Sequence, residues 1–148
     1  MRGTDGDYCP DVAGTSTKDR IGCVDSDGDG WSNPDSMWNV NLGADAFPDD
    51  ATQHFDGDQD GYGDNAEGNQ PDACPSVFGT SNMDLFGCRD SDGDGLANWE
   101  ELLGTYGWFS NPTLADTDGD GVSDYDEVFD NTDPTEPCFN TLDPDGDG

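Results

Sequence analysis

Residues 116–127 read Asp116-Thr117-Asp118-Gly119-Asp120-Gly121-Val122-Ser123-Asp124-Tyr125-Asp126-Glu127. A calcium-binding loop of 12 residues takes oxygen ligands from positions 1, 3, 5, 7, 9 and 12, and position 7 uses its main-chain carbonyl. Position 6 is glycine, which allows a sharp turn, and position 12 is a glutamate that binds through both carboxylate oxygens. Residues 116–127 meet all of these requirements. They therefore predict a calcium site.

Two more segments, beginning at Asp56 and Asp90, follow the same pattern. The chain has only five Glu residues, yet all three loops have Glu at position 12, which argues against coincidence. Mg²⁺ is a weaker candidate because it dehydrates reluctantly and rarely uses a cage made only of protein groups. The predicted ligands are Asp56, Asp58, Asp60, the Tyr62 carbonyl, Asp64 and Glu67; Asp90, Asp92, Asp94, the Leu96 carbonyl, Asn98 and Glu101; and Asp116, Asp118, Asp120, the Val122 carbonyl, Asp124 and Glu127.

A fourth loop has the same start but no Glu at position 12. Pro34 comes directly after its ninth residue and limits the backbone, so a carboxylate from elsewhere must close the coordination shell. That carboxylate is either Asp35 or one from a neighbouring segment that holds three unassigned acids. The predicted ligands of this loop are Asp25, Asp27, Asp29, the Trp31 carbonyl and Asn33, and the unassigned acids are Asp45, Asp49 and Asp50. A further loop begins with the series Asp143, Asp145 and Asp147.

The composition requires cations as part of the folded structure. The formal net charge is −31, and self-repulsion of this size opposes compaction. Leu, Ile, Val and Phe make up 21 of 148 residues, below the roughly 20% at which a highly charged chain is expected to be disordered. Four Ca²⁺ would bring the charge from −31 only to −23, so at least four ions and more are expected. Neither nucleic-acid binding nor membrane insertion is expected.

Five cysteines indicate an oxidising compartment. Cys9 to Cys23 and Cys74 to Cys88 are equal intervals, which predicts two local disulfides, each closing a loop worth roughly 3 kcal/mol. Zinc is a weaker alternative, since it favours short Cys spacing with His, and His54 is the sole histidine. Cys138 is left over. It either bonds to another chain or remains a buried free thiol.

The chain contains two kinds of repeat. Residues 8–30 and 73–95 are identical at 15 of 23 positions at an offset of 65, and from residue 90 the period shortens to 26. We therefore divide the chain into residues 1–89, with local disulfides, and residues 90–148, with short helices after the loops and an end inside a motif.

The two helices are predicted from apolar spacing. Their apolar residues recur at i, i+3 and i+4, and Gly104 ends the first helix. We expect the two apolar faces to pack together in a small core. These residues are Trp99, Leu102 and Leu103 in the first helix and Tyr125, Val128 and Phe129 in the second.

These features resemble thrombospondin type 3 repeats over nearly the whole sequence. Residues 1–89, with the Cys-Pro pairs and Asp45-Ala46-Phe47-Pro48, look like the microbial surface-protein version, and residues 90–140 look like the bacterial form. The resemblance implies an elongated, beaded chain of irregular coil organised around Ca²⁺, with a few short helices, little sheet and disulfide staples. The animal disulfide pattern does not carry over, because the 26-residue repeats lack cysteines.

The resemblance implies a rigid spacer, stalk or fibre segment of an extracellular or cell-surface protein, adjoining further copies of itself or the rest of a longer chain. A dockerin-like interaction module is the alternative, although dockerin loops generally end in Asp where this chain has Glu101 and Glu127. A calcium sensor is disfavoured because Gly, Pro and Cys before the loops exclude long entering helices. Catalysis is not expected, since carboxylates engaged with calcium are poor general acids.

Overall fold

A computed structural model describes residues 6–83 and 85–138. Most of these residues are coil and turns. The regular elements are a 3₁₀ helix at Val40–Leu42 and two α-helices, α1 at Asn98–Leu103 and α2 at Asp124–Asp130. Within the described ranges there is no β-strand, and one isolated bridge joins Gly63 to Pro71. The prediction of a mostly irregular chain with few helices is thus confirmed, and no described helix could cross a bilayer.

The chain forms two compact units, Met1–Ser76 and Val77–Gly148. This division reflects contacts within the fold, whereas the division at residue 89 reflects the change of repeat period. The division at residue 89 stays a prediction about the repeats.

Polar side chains make up most of the interior. The buried apolar side chains are few and small, apart from Leu96 and Val128. The buried polar and charged residues are Ser16, Ser32, Asp45, Gln53, Asp72, Ser81, Glu100, Glu101, Asp124 and Glu127. Because buried polar groups need partners, hydrogen bonds and ionic contacts must stabilise this fold where an ordinary domain uses an apolar core.

The same local arrangement supports both copies of the 65-residue repeat. Ser16 Oγ accepts a hydrogen bond from the Cys23 N–H at 2.8 Å, and Ser81 Oγ accepts one from the Cys88 N–H at 2.9 Å. Two residues before each serine, a glycine lies against the same cysteine, and a Cβ at Gly14 would lie 1.9 Å from the Cys23 carbonyl oxygen. The repeated Gly-Thr-Ser therefore has a structural purpose.

Disulfides occur at the cysteine pairs. Cys9 bonds to Cys23, at a sequence separation of 14. Cys74 and Cys88 are also disulfide-bonded, and Cys138 is a free, exposed cysteine.

The predicted packing of the two apolar helix faces is wrong. Helix α1 ends at Gly104, which has φ 61°, but Leu103 is 67% exposed and Phe129 is 72% exposed. Where α1 and α2 approach each other, it is the carboxylates of Glu101 and Asp124 that lie close, with ligand atoms within 4.8 Å. The buried residues of these helices are instead Glu100, Glu101, Asp124, Glu127 and Val128. Each helix thus turns a carboxylate-bearing face inward, because those carboxylates belong to the acidic loops.

Candidate metal centres

Each of the four acidic loops is folded around its first aspartate. In the first loop, Asp25 Oδ1 accepts the Gly28 N–H at 2.8 Å and Asp25 Oδ2 accepts the Gly30 N–H at 3.1 Å. Position 6 is glycine with positive φ in every loop, at 99°, 99°, 110° and 97°. The same pair of hydrogen bonds recurs at Asp56, Asp90 and Asp116. The sequence pattern therefore corresponds to one repeated turn.

The turn brings carboxylates together. Oxygens of the aspartates at positions 1, 3 and 5 lie within 4.8 Å of one another in three loops, and Asp120 and Glu127 are grouped in the same way in the fourth. The residue at position 5 also accepts the N–H of position 7, as Asp29 does from Trp31 at 2.7 Å. This hydrogen bond holds the backbone at position 7, and the carbonyl of that residue is the predicted ligand.

Several buried carboxylate oxygens in these loops have no hydrogen-bond partner within the described ranges. In three loops these oxygens come as a pair, with one on the aspartate at position 3 and one on a buried acid beside the loop. The pairs are Asp27 Oδ2 with Asp45 Oδ2, Asp92 Oδ2 with Glu101 Oε2, and Asp118 Oδ2 with Glu127 Oε2; Asp72 Oδ2 belongs to the Asp56 loop. A buried carboxylate oxygen is costly unless a cation or donor compensates it, so this set fits hard divalent cations.

The two glutamates at position 12 lie where the pattern predicts. Glu101 is 2% exposed and Glu127 is fully buried. Burial, together with the nearby Asp92, Asp94 and Asp124, raises the pKa of Glu101 to about 8, even though Ser110 donates a hydrogen bond to its Oε1 at 2.9 Å. A cation at this loop would offset the cost of burying the charged form of Glu101.

In the Asp56 loop the structure differs from the prediction. The sequence predicts Glu67 as the closing ligand, but Glu67 is exposed and its N–H bonds to Asn65. Asp72 is buried beside the loop instead, and burial with the charges of Asp60, Asp58 and Asp64 raises the pKa of Asp72 to about 6.

A missing helix explains the exposed position of Glu67. Position 12 returns to the loop when positions 9 to 12 are helical, as in α1 and α2, and no helix begins at Asp64.

Asp45 is buried beside the Asp25 loop in the same manner. Its N–H bonds to the Ser32 carbonyl at 2.9 Å, and the Asp72 N–H bonds to the Gly63 carbonyl at 2.8 Å. Ser32 and Gly63 both occupy position 8 of their loops. Burial and then the charges of Asp29, Asp27 and Asp25 raise the pKa of Asp45 to about 6.

A sequence signal for Asp72 was available. Asp45-Ala46-Phe47-Pro48 and Asp72-Ala73-Cys74-Pro75 share the pattern Asp-Ala-x-Pro. In both, the aspartate accepts the N–H two residues later, at 2.8 Å for Asp45 and 2.6 Å for Asp72.

The other acids considered for the first loop lie elsewhere. Asp35 forms an ion pair with Arg20 at 2.8 Å. Asp50 accepts hydrogen bonds from Thr52 and Asn69, and Asp49 is exposed. Asp35 and Asp50 thus have partners outside the Asp25 loop, and a role of Asp35, Asp49 or Asp50 as its ligand stays a prediction. The series Asp143, Asp145 and Asp147 lies outside the described residues.

The residues at position 9 form hydrogen bonds to the start of their loops. Their Oδ1 atoms accept the N–H of position 2, and so hold the two ends of the loop together. The pairs are Asn33 with Ser26 at 3.0 Å, Asp64 with Gly57 at 3.1 Å, Asn98 with Ser91 at 2.8 Å and Asp124 with Thr117 at 2.8 Å.

Asp124 also lies beside the Asp90 loop. One of its oxygens lies within 4.8 Å of ligand atoms of Asp94 and Glu101, and the Tyr125 N–H bonds to Asp94 Oδ2 at 3.1 Å. The Asp90 loop thus has two buried acids beside it, one from α1 and one from α2.

The metal-free protein should be more ordered at pH 4 than at pH 8. The pKa values of Asp45, Asp72 and Asp94 rise to about 6 and that of Glu101 to about 8, above those of an unfolded chain. Folding therefore takes up protons, and the stability present at low pH is lost as pH rises through 6 and then 8. Near-ultraviolet circular dichroism of the metal-free protein measures this. Calcium-saturated protein is the control and should show the opposite trend, because protons compete with the cation.

Replacing Gln59 by Gly should tighten the Asp56 loop. Gln59 has φ 67° at position 4, where the other loops have glycine, and a side chain there costs roughly 1 kcal/mol. The Gln59 side chain also bonds to Asn41 at 2.6 Å. The substitution is therefore made in an Asn41→Ala background, where that bond is already lost. Calcium titration should show an approximately fivefold gain in affinity at one site, and weaker binding would refute the strain argument.

Two segments of the chain, residues 90–103 and 116–137, match the family model of the bacterial TSP3 repeat. They contain the Asp90 and Asp116 loops with α1 and α2. A search of curated proteins found no match. TSP3 repeats are calcium-binding structural repeats and not an enzyme family. The resemblance to thrombospondin type 3 repeats is therefore confirmed at these two segments, which match the bacterial TSP3 repeat.

Proposed function

We propose that this chain is a calcium-stabilised structural segment of an extracellular or cell-surface protein, acting as a rigid spacer, stalk or fibre segment. The observation that carries the proposal is that two of the closing acids lie far from their loops in the sequence. Asp45 lies 20 residues after Asp25 and Asp72 lies 16 after Asp56, so each cation would join distant parts of the chain. Because the ion binds the folded chain and not the unfolded one, such a cross-link stabilises the fold.

The proposed sites use one shared plan. Three aspartates and a carbonyl come from the loop, and the closing acid comes from the exit helix or a later segment. The proposed ligands are Asp25, Asp27, Asp29, the Trp31 carbonyl and Asp45; Asp56, Asp58, Asp60, the Tyr62 carbonyl and Asp72; Asp90, Asp92, Asp94, the Leu96 carbonyl, Glu101 and Asp124; and Asp116, Asp118, Asp120, the Val122 carbonyl and Glu127. At least four Ca²⁺ are proposed, and more are needed to reduce the charge of −31 further.

Calcium would make the chain stiff because it offsets the charge of the loops and replaces the missing core. In a spacer the relevant property is a fixed distance between the two ends. Further copies of the chain, or the rest of a longer protein, would adjoin it.

The distance between the ends tests the spacer proposal. A donor and an acceptor fluorophore are attached through fused tags at the two termini, and single-molecule energy transfer is recorded with calcium and after its removal. We expect one narrow distribution with calcium and a broad one without it. An equally broad distribution in saturating calcium would refute the spacer proposal, even if calcium is bound.

A calcium-dependent interaction module is the second candidate. One observation favours it: Leu103 and Phe129 occupy equivalent positions in the two 26-residue repeats and both are exposed. Exposed apolar residues that form a contiguous patch are a feature of protein-binding surfaces. Under this alternative, replacing Leu103 and Phe129 by Ser would abolish binding to a partner domain without changing the end-to-end distribution.

A further inference from the structure

The loop that begins at Asp116 has a thiol where the loop that begins at Asp90 has a hydroxyl. Ser110 Oγ donates to Glu101 Oε1 at 2.9 Å, and Cys138 Sγ donates to Glu127 Oε1 at 3.3 Å. Both side chains reach the closing glutamate of their loop from a segment C-terminal to the helix. The two loops are therefore alike in geometry and differ in ligand chemistry.

Three different residue types meet at the Asp116 loop. Atoms of Asp120, Glu127 and Cys138 lie within 4.8 Å of one another, and the Cys138 N–H bonds to Asp120 Oδ2 at 2.5 Å. A second, independent observation points to a ligand here. Glu127 is fully buried, and its Oε2 has no partner in the part of the chain that the structure describes.

We propose that Asp120, Glu127 and Cys138 form a site for a thiophilic divalent cation of the Zn²⁺ class, which displaces Ca²⁺ from this one loop. Thiolate ligands select Zn²⁺ and related cations, whereas Ca²⁺ binds oxygen. On binding, the Cys138 thiol loses its proton to solvent and Sγ bonds to the metal. A water completes four ligands, as at zinc sites with three protein ligands.

The distances suit such a site. Zinc bonds of roughly 2.3 Å to sulfur and 2.0 Å to oxygen, at a tetrahedral angle, set the two ligand atoms about 3.5 Å apart. The distance from Cys138 Sγ to Glu127 Oε1 is 3.3 Å. Cys138 is exposed, which gives the cation a path from solvent. The short adjustment needed is within reach of the side chains.

Native mass spectrometry with Cd²⁺ as the probe tests the proposal on the full chain. The calcium-saturated protein is weighed first, so a failure of calcium binding is seen before Cd²⁺ is added. One equivalent of Cd²⁺ should then replace one Ca²⁺, and the absorption band of a cadmium–thiolate bond should develop. Absence of exchange, or of the thiolate band, would overturn the proposal. The proposal would also be overturned if the purified, unreduced protein contained no free thiol.

Two variants separate a built site from a single surface thiol. Cys138→Ser should lose the thiolate band, and its affinity for Cd²⁺ at this loop should fall at least tenfold. Glu127→Gln retains the thiol, and the affinity of that thiol for Cd²⁺ should still fall at least tenfold. Unchanged Cd²⁺ affinity in Glu127→Gln would mean that Cys138 binds metal alone, and would overturn the site. Because Cys138→Ser removes only a surface-accessible sulfur, its result is decisive even if Glu127→Gln does not fold.

Discussion

Removal of calcium at pH 8 should expand the chain to a largely unfolded state, with a radius of gyration approaching the roughly 40 Å expected of an unfolded chain of this length. The physical reason is the net charge of −31 together with an interior made mostly of polar groups. The Cys9–Cys23 disulfide closes only a short loop and cannot hold the rest of the chain. Small-angle X-ray scattering before and after exhaustive chelation measures the change.

The control for this prediction is to add metal ions back to the chelated protein. Calcium should restore the original scattering curve, whereas the same concentration of Mg²⁺ should restore little of it, since Mg²⁺ demands a tighter octahedral shell. Metal analysis first shows that removal is complete. A radius of gyration that is then unchanged would contradict the calcium-dependent fold.

Asp72→Asn should weaken calcium binding at one site by about 10- to 100-fold, the effect of losing an interaction of roughly 1.5–3 kcal/mol with a charged group. Asn keeps the size of the side chain and its hydrogen bond to the Cys74 N–H, so the loss reports on the carboxylate charge. Isothermal titration calorimetry measures the individual affinity classes.

Glu67→Gln is the matched control, because it also removes one carboxylate charge but at a residue that is exposed in the structure. It should leave all calcium affinities within about twofold. If Glu67→Gln proved the more harmful substitution, the assignment of Asp72 as the closing acid would be wrong.

The loops themselves could be predicted from the sequence because their geometry is local. A glycine at position 6 and an aspartate at position 1 form hydrogen bonds across five residues, so a 12-residue pattern contains the information. Gly121 and Asp116 illustrate this, with the Gly121 N–H 2.9 Å from Asp116 Oδ2. The same applies to α1 and its end at Gly104.

The acid that we propose to close the Asp56 loop could not be found by counting positions, because its placement depends on the path of the chain after the loop. Beyond Asp64 the chain packs against Gln53, whose Oε1 accepts the Asn65 N–H at 3.0 Å. The chain then returns through the bridge from Gly63 to Pro71, which brings Asp72 to the loop. Such non-local contacts leave no periodic trace in the sequence.

The predicted packing of the apolar helix residues was wrong for a related reason. Spacing at i, i+3 and i+4 predicts which residues share a face, but not which face is buried. In α1 the buried face carries Glu100 and Glu101, since Glu100 caps the helix start through the Ala97 N–H at 2.7 Å and Glu101 faces the loop. Leu102 and Leu103 are thereby left outside.

The proposed sites place one calcium ion in each of the four acidic loops, closed by Asp45, Asp72, Glu101 and Glu127. An anomalous difference map from crystals of the calcium-loaded protein locates the ions themselves. We expect one peak in each loop, between the position 3 aspartate and its closing acid. Loops without a peak, or a peak beside Glu67 and away from Asp72, would contradict the proposed sites.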